Sequence, residues 1–506
     1  MPHNRDQPLF GFADPDDFRR LQELLLQNNY TETAIQEVLA ATELTTPRPI
    51  DLPPLLYRTR HGTPLETLIR LFLLGVPVGI DTVRRTIHPM TLEQWVAAGL
   101  LAVHGDQAIP LVELRPYQGL VLASDPPYTL QREAQPHFVM GVGSSTRTLA
   151  NLTIRRPSRC SLDLGTGCGI HALLAAPHSE QVYAVDPNPR ALRFTEFNAQ
   201  LNGLSNITCL PGDLFAPVRT AQFDLVVSNP PYVISPAARY LYRDSTMPSD
   251  HFCQRIAREV TPLLTEGGYC QFLCHWIHPA GQDWRERLAG WFAETGCDTW
   301  VLRSATWDPS PYAIAWIHET EEPHPDRVAA LYEEWMAYYA QEGIEAIGMG
   351  LVTMRRSSRK TPWFHLAEAP EKMFGPCGEF VLQQFALHDF LEALPDDQAL
   401  LDLCLSVSPD VRWEQQCTPA ETQWQVDASY LRLSRGFAYA GTIDPYIAGL
   451  VIRCNGQRPL RTLLNHLAAS LHVDLGTITP ACLAVVRRLI EQGFLLPPGV
   501  APIPPP

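Results

Sequence analysis

Apolar residues recur at helical spacing in two early segments, residues 16–28 and 31–41, where Leu21, Leu24 and Leu25, then Ile35, Val38 and Leu39, line one face each. A proline-rich stretch, 47–54, separates them from three shorter helical patterns at 64–74, 81–87 and 91–98. Two extended runs follow, at 101–103 and 108–114. Three helices and a hairpin predict a mainly helical, winged-helix-like domain over residues 1–135. Such a module docks on a neighbour, recruits substrate or reads nucleic acid. Its third helix, which would be the reader, carries Glu93 and Gln94 and no arginine.

From about His137 the period changes. Strand-like apolar runs at 160–164, 182–185, 207–210, 224–228 and 268–275 alternate with helical stretches at 169–176, 188–202 and 249–264. Two further strands, 299–305 and 347–355, bracket helices at 310–318 and 325–341. Alternation of this kind implies right-handed crossovers and a sheet covered on both faces. Residues 136–366 are therefore expected to form an α/β domain, a doubly wound, mostly parallel, seven-stranded Rossmann-like sheet. Beyond that the alternation is lost. Residues 367–506 are expected to be an α+β accessory domain, with helical patterns over 459–496 and an extended proline-rich tail at 497–506.

Length and charge narrow the picture. A chain of 506 residues is too long for one ordinary core and suggests about three domains. The balance of 39 basic against 54 acidic residues, −15, disfavours a broad grip on phosphates. The twelve cysteines include no Cys-x-x-Cys pair; Cys270 and Cys274 come nearest, within an apolar run. Buried free thiols and no metal site are expected, as suits a reducing compartment. The start, Met1 to Asp6, leads into no apolar leader segment, and no apolar run approaches the ~20 residues that cross a bilayer. A cytoplasmic protein without a membrane partner is the expectation.

The first chemical constellation is Ser161-Leu162-Asp163-Leu164-Gly165-Thr166-Gly167-Cys168-Gly169-Ile170-His171, a strand running into a glycine loop and then a helix. Glycines let the backbone turn sharply and let a ligand lie against it. A dinucleotide fingerprint wants its third glycine where Ile170 stands, and no Walker-type lysine follows. A sulfonium cofactor, which carries no phosphate, fits better. Asp186 ends the next strand, placed to accept both ribose hydroxyls. Asp213, with Leu214 or Phe215 beside it, follows the third strand and is placed for an adenine ring. Asp163 orients the loop or faces the amino-acid end of the cofactor.

The second is Phe223-Asp224-Leu225-Val226-Val227-Ser228-Asn229-Pro230-Pro231-Tyr232. Two prolines remove two backbone donors and hold the preceding residue extended. The turn is stiff, with outward carbonyls. Asn229 Oδ1 and the Pro230 carbonyl could each accept one N–H of a planar NH₂ group, leaving its lone pair toward a methyl donor. Pro231 stiffens the turn and Tyr232 would lie flat on the acceptor. Catalysis would be orientation plus electrostatics, without a covalent intermediate.

Residues 137–275 resemble class I methyltransferases of the Asn-Pro-Pro-Tyr group, above all the release-factor glutamine methyltransferases (HemK-like) and related N6-adenine enzymes. Asp163, Gly165, Thr166, Gly167 and Gly169 match the group's cofactor loop. Asp186 matches its ribose acid, Asp213-Leu214 its adenine contact, and Asn229 to Tyr232 its catalytic motif. Asn198-Ala199 and Asn202-Gly203 are similar to its Asn-Ala-x-x-Asn run. The stretch 141–149 is similar to one in related rRNA guanine methyltransferases, which implies a cofactor contact for Thr146. The resemblance implies S-adenosyl-L-methionine as donor and transfer to a planar nitrogen, first of all a protein glutamine. An rRNA, tRNA or DNA base amino group is the alternative, and a non-catalytic cofactor-sensing regulator that binds nucleic acid the second. The flanking regions are unlike the short helical domain that grips release factors. Arg355, Arg356, Arg359 and Lys360 could hold RNA phosphates or form a solvated strand end. His275 and Trp276 could line the acceptor pocket or fill the core.

Overall fold

The computed structural model describes residues 10–45, 47, 49–127, 137–237, 239–245, 247–320 and 324–504. The segment Met1 to Asp6 read for a leader, the domain boundary expected at 135/136 and the last two prolines lie outside them. The chain falls into two compact units, residues 1–150 with 156–367, and residues 151–155 with 368–506.

The first unit is built on one eight-stranded mixed sheet. Its strands are β1 (Ser158–Leu164), β2 (Ser179–Asp186), β3 (Ile207–Pro211), β4 (Phe223–Ser228), β5 (Leu264–Pro279), β6 (Cys297–Trp307), β7 (Ile344–Arg356) and β8 (Phe364–Glu368). They lie in the order β3-β2-β1-β4-β5-β7-β6-β8. Strands β1 to β5 pair in parallel, while β7 runs antiparallel between β5 and β6. The helices are α1 (Ser144–Leu152), α2 (Ile170–Ala175), α3 (Pro189–Leu201), α4 (His251–Glu259), α5 (Trp284–Phe292), α6 (Pro309–Thr320) and α7 (Pro325–Gln341). Seven strands are expected from the pattern and eight form. The extra one, β8, is a short run with every residue partly or fully exposed, so it carries no apolar alternation to read. This is a methyltransferase-like α/β fold.

Helix α4 is shorter than its pattern. It ends at Glu259, a turn at Thr261–Leu263 follows, and β5 begins at Leu264. Proline at 262 cannot supply a helical N–H. On one face of the sheet, Phe223, Val226, Phe272, Trp276 and Val301 pack with Ile256 of α4 and Trp291 of α5. On the other, α2 and α3 share a core with the N-terminal elements, where Phe194 and Phe197 meet Leu21, Leu25 and Phe72.

The N-terminal elements run as helices Pro15–Gln27, Glu32–Leu39, Leu52–Arg58 and Pro64–Phe72, a short strand Val78–Gly79, helices Ile80–Ile87 and Leu92–Ala97, and strands Leu101–His104 and Gln107–Pro110. Within the stretch read as a proline spacer, Pro53 and Pro54 sit in the first turn of a helix, where a missing N–H costs nothing. The extended run at 108–114 divides into two strands, the second of which, Glu113–Tyr117, forms a hairpin with Leu120–Ser124. The outer edge of that hairpin is completed by two asparagines about one turn apart, Asn198 on α3 and Asn202 at its C-cap. Asn198 Oδ1 accepts from Ala123 N at 2.7 Å and its Nδ2 donates to Ala123 O at 2.9 Å. Asn202 does the same for Val121, at 2.9 and 2.8 Å. Four helical residues rise about 6 Å and two strand residues about 6.7 Å, so the ladder closes.

The second unit gathers helices Gly378–Glu392, Pro445–Arg453, Leu460–Leu471 and Leu475–Glu491 around Leu387, Leu464, Val486 and Ile490. A long ribbon, Val411–Ala420 with Gln423–Leu433, projects most of its length into solvent.

Candidate active site

The carboxyl end of β1 turns through three glycines with left-handed backbone: Gly165 at φ +73°, Gly167 at +56° and Gly169 at +86°. They do different work. A Cβ on Gly169 would stand 2.8 Å from Thr195 Cγ2 and 3.0 Å from Leu173 Cδ1, so this glycine lets α2 settle on α3. A Cβ on Gly165 or Gly167 would meet nothing within 4 Å. Those two leave open a backbone cradle that a ligand can fill. Beneath the loop, Asp163 Oδ2 accepts from Thr166 Oγ1 at 2.7 Å and from Ala172 N at 2.9 Å. Its Oδ1 is buried with no hydrogen-bond partner among the described residues. Burial pushes the Asp163 carboxyl up to about 7, the hydrogen bonds from Thr166 and Ala172 opposing and the charge of Asp186 adding.

Asp186, at the end of β2, accepts from Gly167 N at 3.0 Å through Oδ2 and from Asn188 N at 2.8 Å through Oδ1. It is 8% exposed, and burial raises its carboxyl above the ordinary value. After β3, Asp213 and Leu214 line the same cleft, Leu214 with φ +46° and buried, Asp213 exposed and 3.5 Å from Arg255. Thr146, buried on α1, lines it as well. So does the segment 138–141, tied at its start: Asn188 Nδ2 donates to His137 O at 3.0 Å, and Val139 N donates to Asp125 Oδ2 at 2.8 Å.

The apolar strand β4 ends at Ser228, whose hydroxyl donates to Leu164 O at 2.7 Å and pins the ends of β4 and β1 together. Asn229, Pro230 and Pro231 then enter the cleft wall. Asn229 Nδ2 donates to Ser145 Oγ at 3.3 Å, while Asn229 Oδ1 is buried with no partner among the described residues. A buried acceptor left unpaired is costly, so such atoms mark places where a ligand completes the site. Tyr232 is the last residue of the motif. It is not among the cleft-lining residues; its ring packs 4.3 Å from His275 and 6.4 Å from Trp316, centroid to centroid. Burial pushes its hydroxyl up to about 12, so it stays protonated.

The structure thus brings Thr146, Gly165, Thr166, Gly167, Asp186, Asp213, Leu214, Asn229, Pro230 and Pro231 to one cleft. Asp163 and Gly169 stand behind it as supports. His275 touches Tyr232, and Trp276 is core. The basic cluster is elsewhere: Arg355 pairs in register with Tyr269, at the start of β5's paired run and level with Leu225, away from Asn229. Arg355 is also neutralised by buried Asp298, and Arg356 donates to Thr295 O. Sequence reasoning missed Asn188, Ser145, Tyr242 and Phe252, although Asn188 was legible as the cap of α3, its Oδ1 accepting from Arg190 N at 3.0 Å. Tyr242 and Phe252 carry no sequence signal. Charged cleft-lining residues are Asp186, Asp213 and Asp244, and none of the lining residues described is Lys or Arg. No group of three potential metal ligands occurs among the described residues.

Residues 140–245 match the family described as "Methyltransferase small domain". Residues 25–111 and 382–497 match two families described as domains of unknown function, DUF7059 and DUF7782. The release factor glutamine methyltransferase of Geobacter sulfurreducens is 28% identical over 188 residues, 35% of this chain and 62% of that protein. Its Escherichia coli counterpart is 42% identical over 74 residues, 14% of this chain and 27% of that protein. The ribosomal protein uL3 glutamine methyltransferase of Bradyrhizobium diazoefficiens is 45% identical over 75 residues, 14% and 24% of the two chains. In each case the chain spans less than two thirds of the relative's length. The stretch matched by the methyltransferase family begins in the segment that walls the cleft and runs past the Asn-Pro-Pro-Tyr turn, so this part of the chain is a methyltransferase domain of the kind that takes its methyl group from S-adenosylmethionine, similar to the release factor glutamine methyltransferases.

Proposed function

We propose that the chain transfers a methyl group to a planar amide nitrogen, the side chain of a protein glutamine. The observation that carries this is Asn229 Oδ1, a buried acceptor without a partner, set in a turn whose two prolines have no N–H to offer it. S-adenosylmethionine, when bound, supplies an electrophilic methyl on a sulfonium. Gly165 and Gly167 offer the open backbone to hold it, Asp186 the ribose contact and Asp213 with Leu214 the adenine contact, while Asp163 orients the loop from behind through Thr166 and Ala172. Thr146 closes the cleft from α1. Asn229 Oδ1 accepts one N–H of the substrate amide and the Pro230 carbonyl the other, which turns the nitrogen lone pair away from its own π-system. Orientation of this kind is worth about 7–11 kcal/mol of barrier. Tyr232 acts from behind the turn, as packing that fixes its height.

Protein is favoured over nucleic acid by charge. Among the described residues the lining carries acids and no Lys or Arg, although Arg243 and Arg255 pair with Asp244 and Asp213; the net charge is −15, and helix Leu92–Ala97 bears Glu93 3.5 Å from Arg84 with no base of its own. In this reading the winged-helix-like N-terminal elements recruit a protein. The free cysteines among the described residues support a reading in which the enzyme works in a reducing compartment such as the cytoplasm. No described helix is long and apolar enough to cross a membrane.

The test is incubation with methyl-labelled S-adenosylmethionine and cell lysate, divided between ribonuclease and protease. Label that survives ribonuclease and maps to glutamine is the expected result; label in RNA overturns the substrate, and none at all overturns the activity. Asn229→Ala is expected to keep cofactor affinity within a few-fold and to slow transfer by roughly 10²–10³, the usual cost of one preorganised hydrogen-bonding group. Asp186→Ala should instead weaken cofactor binding, measured by calorimetry.

A further inference from the structure

Strands β6 and β7 are antiparallel neighbours, which a tight turn could join. Residues 308–343 stand between them instead, forming α6 and α7. They cover Ile277 of β5 and Ile347 of β7, and in the same buried cluster they pack on the chain just after the acceptor turn, where Val233 and Ile234 join Tyr312, Leu331, Trp335 and Tyr339.

The contact is polar as well as apolar. Ile234 N donates to Tyr312 Oη at 3.1 Å, and Tyr339 Oη donates to Ile234 O at 2.8 Å. Both peptide groups of one residue, two positions beyond Tyr232, are therefore held by hydroxyls from two different helices. Tyr312 Oη also lies 2.7 Å from His275 Nδ1, and the imidazole packs on the Tyr232 ring at 4.3 Å. Tyr312, Tyr339 and Ile234 are at most 1% exposed. Burial drives His275 down to about 3, so it is neutral and the network is free of charge. Pro230 and Pro231 donate nothing, and past Ser228 the backbone is next held at Val233, whose N donates to Arg243 O at 3.2 Å; the two tyrosine hydroxyls extend that hold to Ile234.

We infer that Tyr312 and Tyr339 are positioning residues for methyl transfer: they hold Ile234, and through it the Asn229-Pro230-Pro231-Tyr232 turn, at the distance from the cofactor cradle that the reaction requires. The inference rests on the assignment of that turn as the acceptor site. An enzyme that methylates through orientation alone is the kind most sensitive to such a clamp, since a shift near 1 Å can cost about 10²-fold. The hydroxyls are the active part; the rings are core and are retained in phenylalanine.

The test uses the full chain and Tyr312→Phe, Tyr339→Phe and their double variant. Hydrogen–deuterium exchange over residues 229–236 is expected to rise at least tenfold in the double variant, with cofactor affinity by calorimetry within twofold of wild type. Transfer of labelled methyl to lysate protein should fall at least tenfold in kcat, with KM little changed. Unaltered exchange in the loop overturns the clamp, as does a loss of cofactor affinity equal to the loss of transfer, which would mean general damage. Asn229→Ala, run alongside, separates the two ideas: full transfer by that variant rejects the acceptor site itself, whereas the exchange measurement judges the clamp without any substrate.

Discussion

Single atoms set the chemistry here. Asp163 is a carboxylate taken out of water with one oxygen satisfied twice and the other not at all. Its pKa of about 7, against an ordinary 3.8, means the folded chain holds that proton more tightly than the unfolded one. The linkage follows: stability from this group is fully present below about pH 4, is lost as pH rises toward 7, and levels off above. Without cofactor, Asp163→Asn should therefore gain on wild type across pH 4–7, by on the order of a few kcal/mol at neutral pH, and show a constant difference beyond it. Urea unfolding of both proteins at a series of pH values checks this; parallel curves would rule it out. Asp186 has both oxygens occupied by backbone N–H groups, and its remaining lone pairs are the ones available to a ribose.

The glycine loop shows how one element divides its labour. All three glycines have positive φ, so alanine is strained at each by about 1 kcal/mol or more. Only at Gly169 does the added Cβ also strike a neighbouring helix, at Thr195. Gly169→Ala is thus expected to cost roughly 2–4 kcal/mol of stability, strain plus overpacking. Gly167→Ala, facing open space, should cost about 1 kcal/mol of stability and at least tenfold in cofactor affinity. Paired melts and calorimetry separate the two; equal effects at both positions would contradict the assignment. The acceptor turn was legible in the same way, as two prolines after an apolar strand, and lies where the pattern places it. The supports were not. Tyr312 and Tyr339 come from helices far along the chain, and no local spacing links them to Ile234.

At the scale of the molecule, the N-terminal region is not a bead on a string. Phe194 and Phe197 of α3 are buried among Phe10, Phe12 and Phe18, with ring centroids 4.5 to 6.2 Å apart. Asn198 and Asn202 close the edge of the hairpin, and Arg190 pairs with Asp125. A chain beginning at residue 137 would expose that aromatic face and take from Asn198 Oδ1 and Asn202 Oδ1 the backbone N–H groups that they accept from. It should lose cooperative thermal unfolding or self-associate in size-exclusion chromatography, while the double variant Arg84→Ala, Glu93→Ala, on an exposed pair, behaves as wild type. A monomeric, cooperatively melting fragment would show the methyltransferase domain to be self-sufficient.

Local periodicity alone determined the alternation of strands and helices, the glycine loop, the strand-end acids and the Asn-Pro-Pro-Tyr turn. Each is a run of neighbouring residues whose backbone demands are written in its own side chains. Tertiary structure alone decided the eighth strand, the neutralising of Arg355 by Asp298, the packing of Tyr232 on His275 and the tyrosine hold on Ile234. Those depend on which distant segments share a dielectric and a volume once the chain has packed, and burial of that kind leaves no periodic trace in sequence.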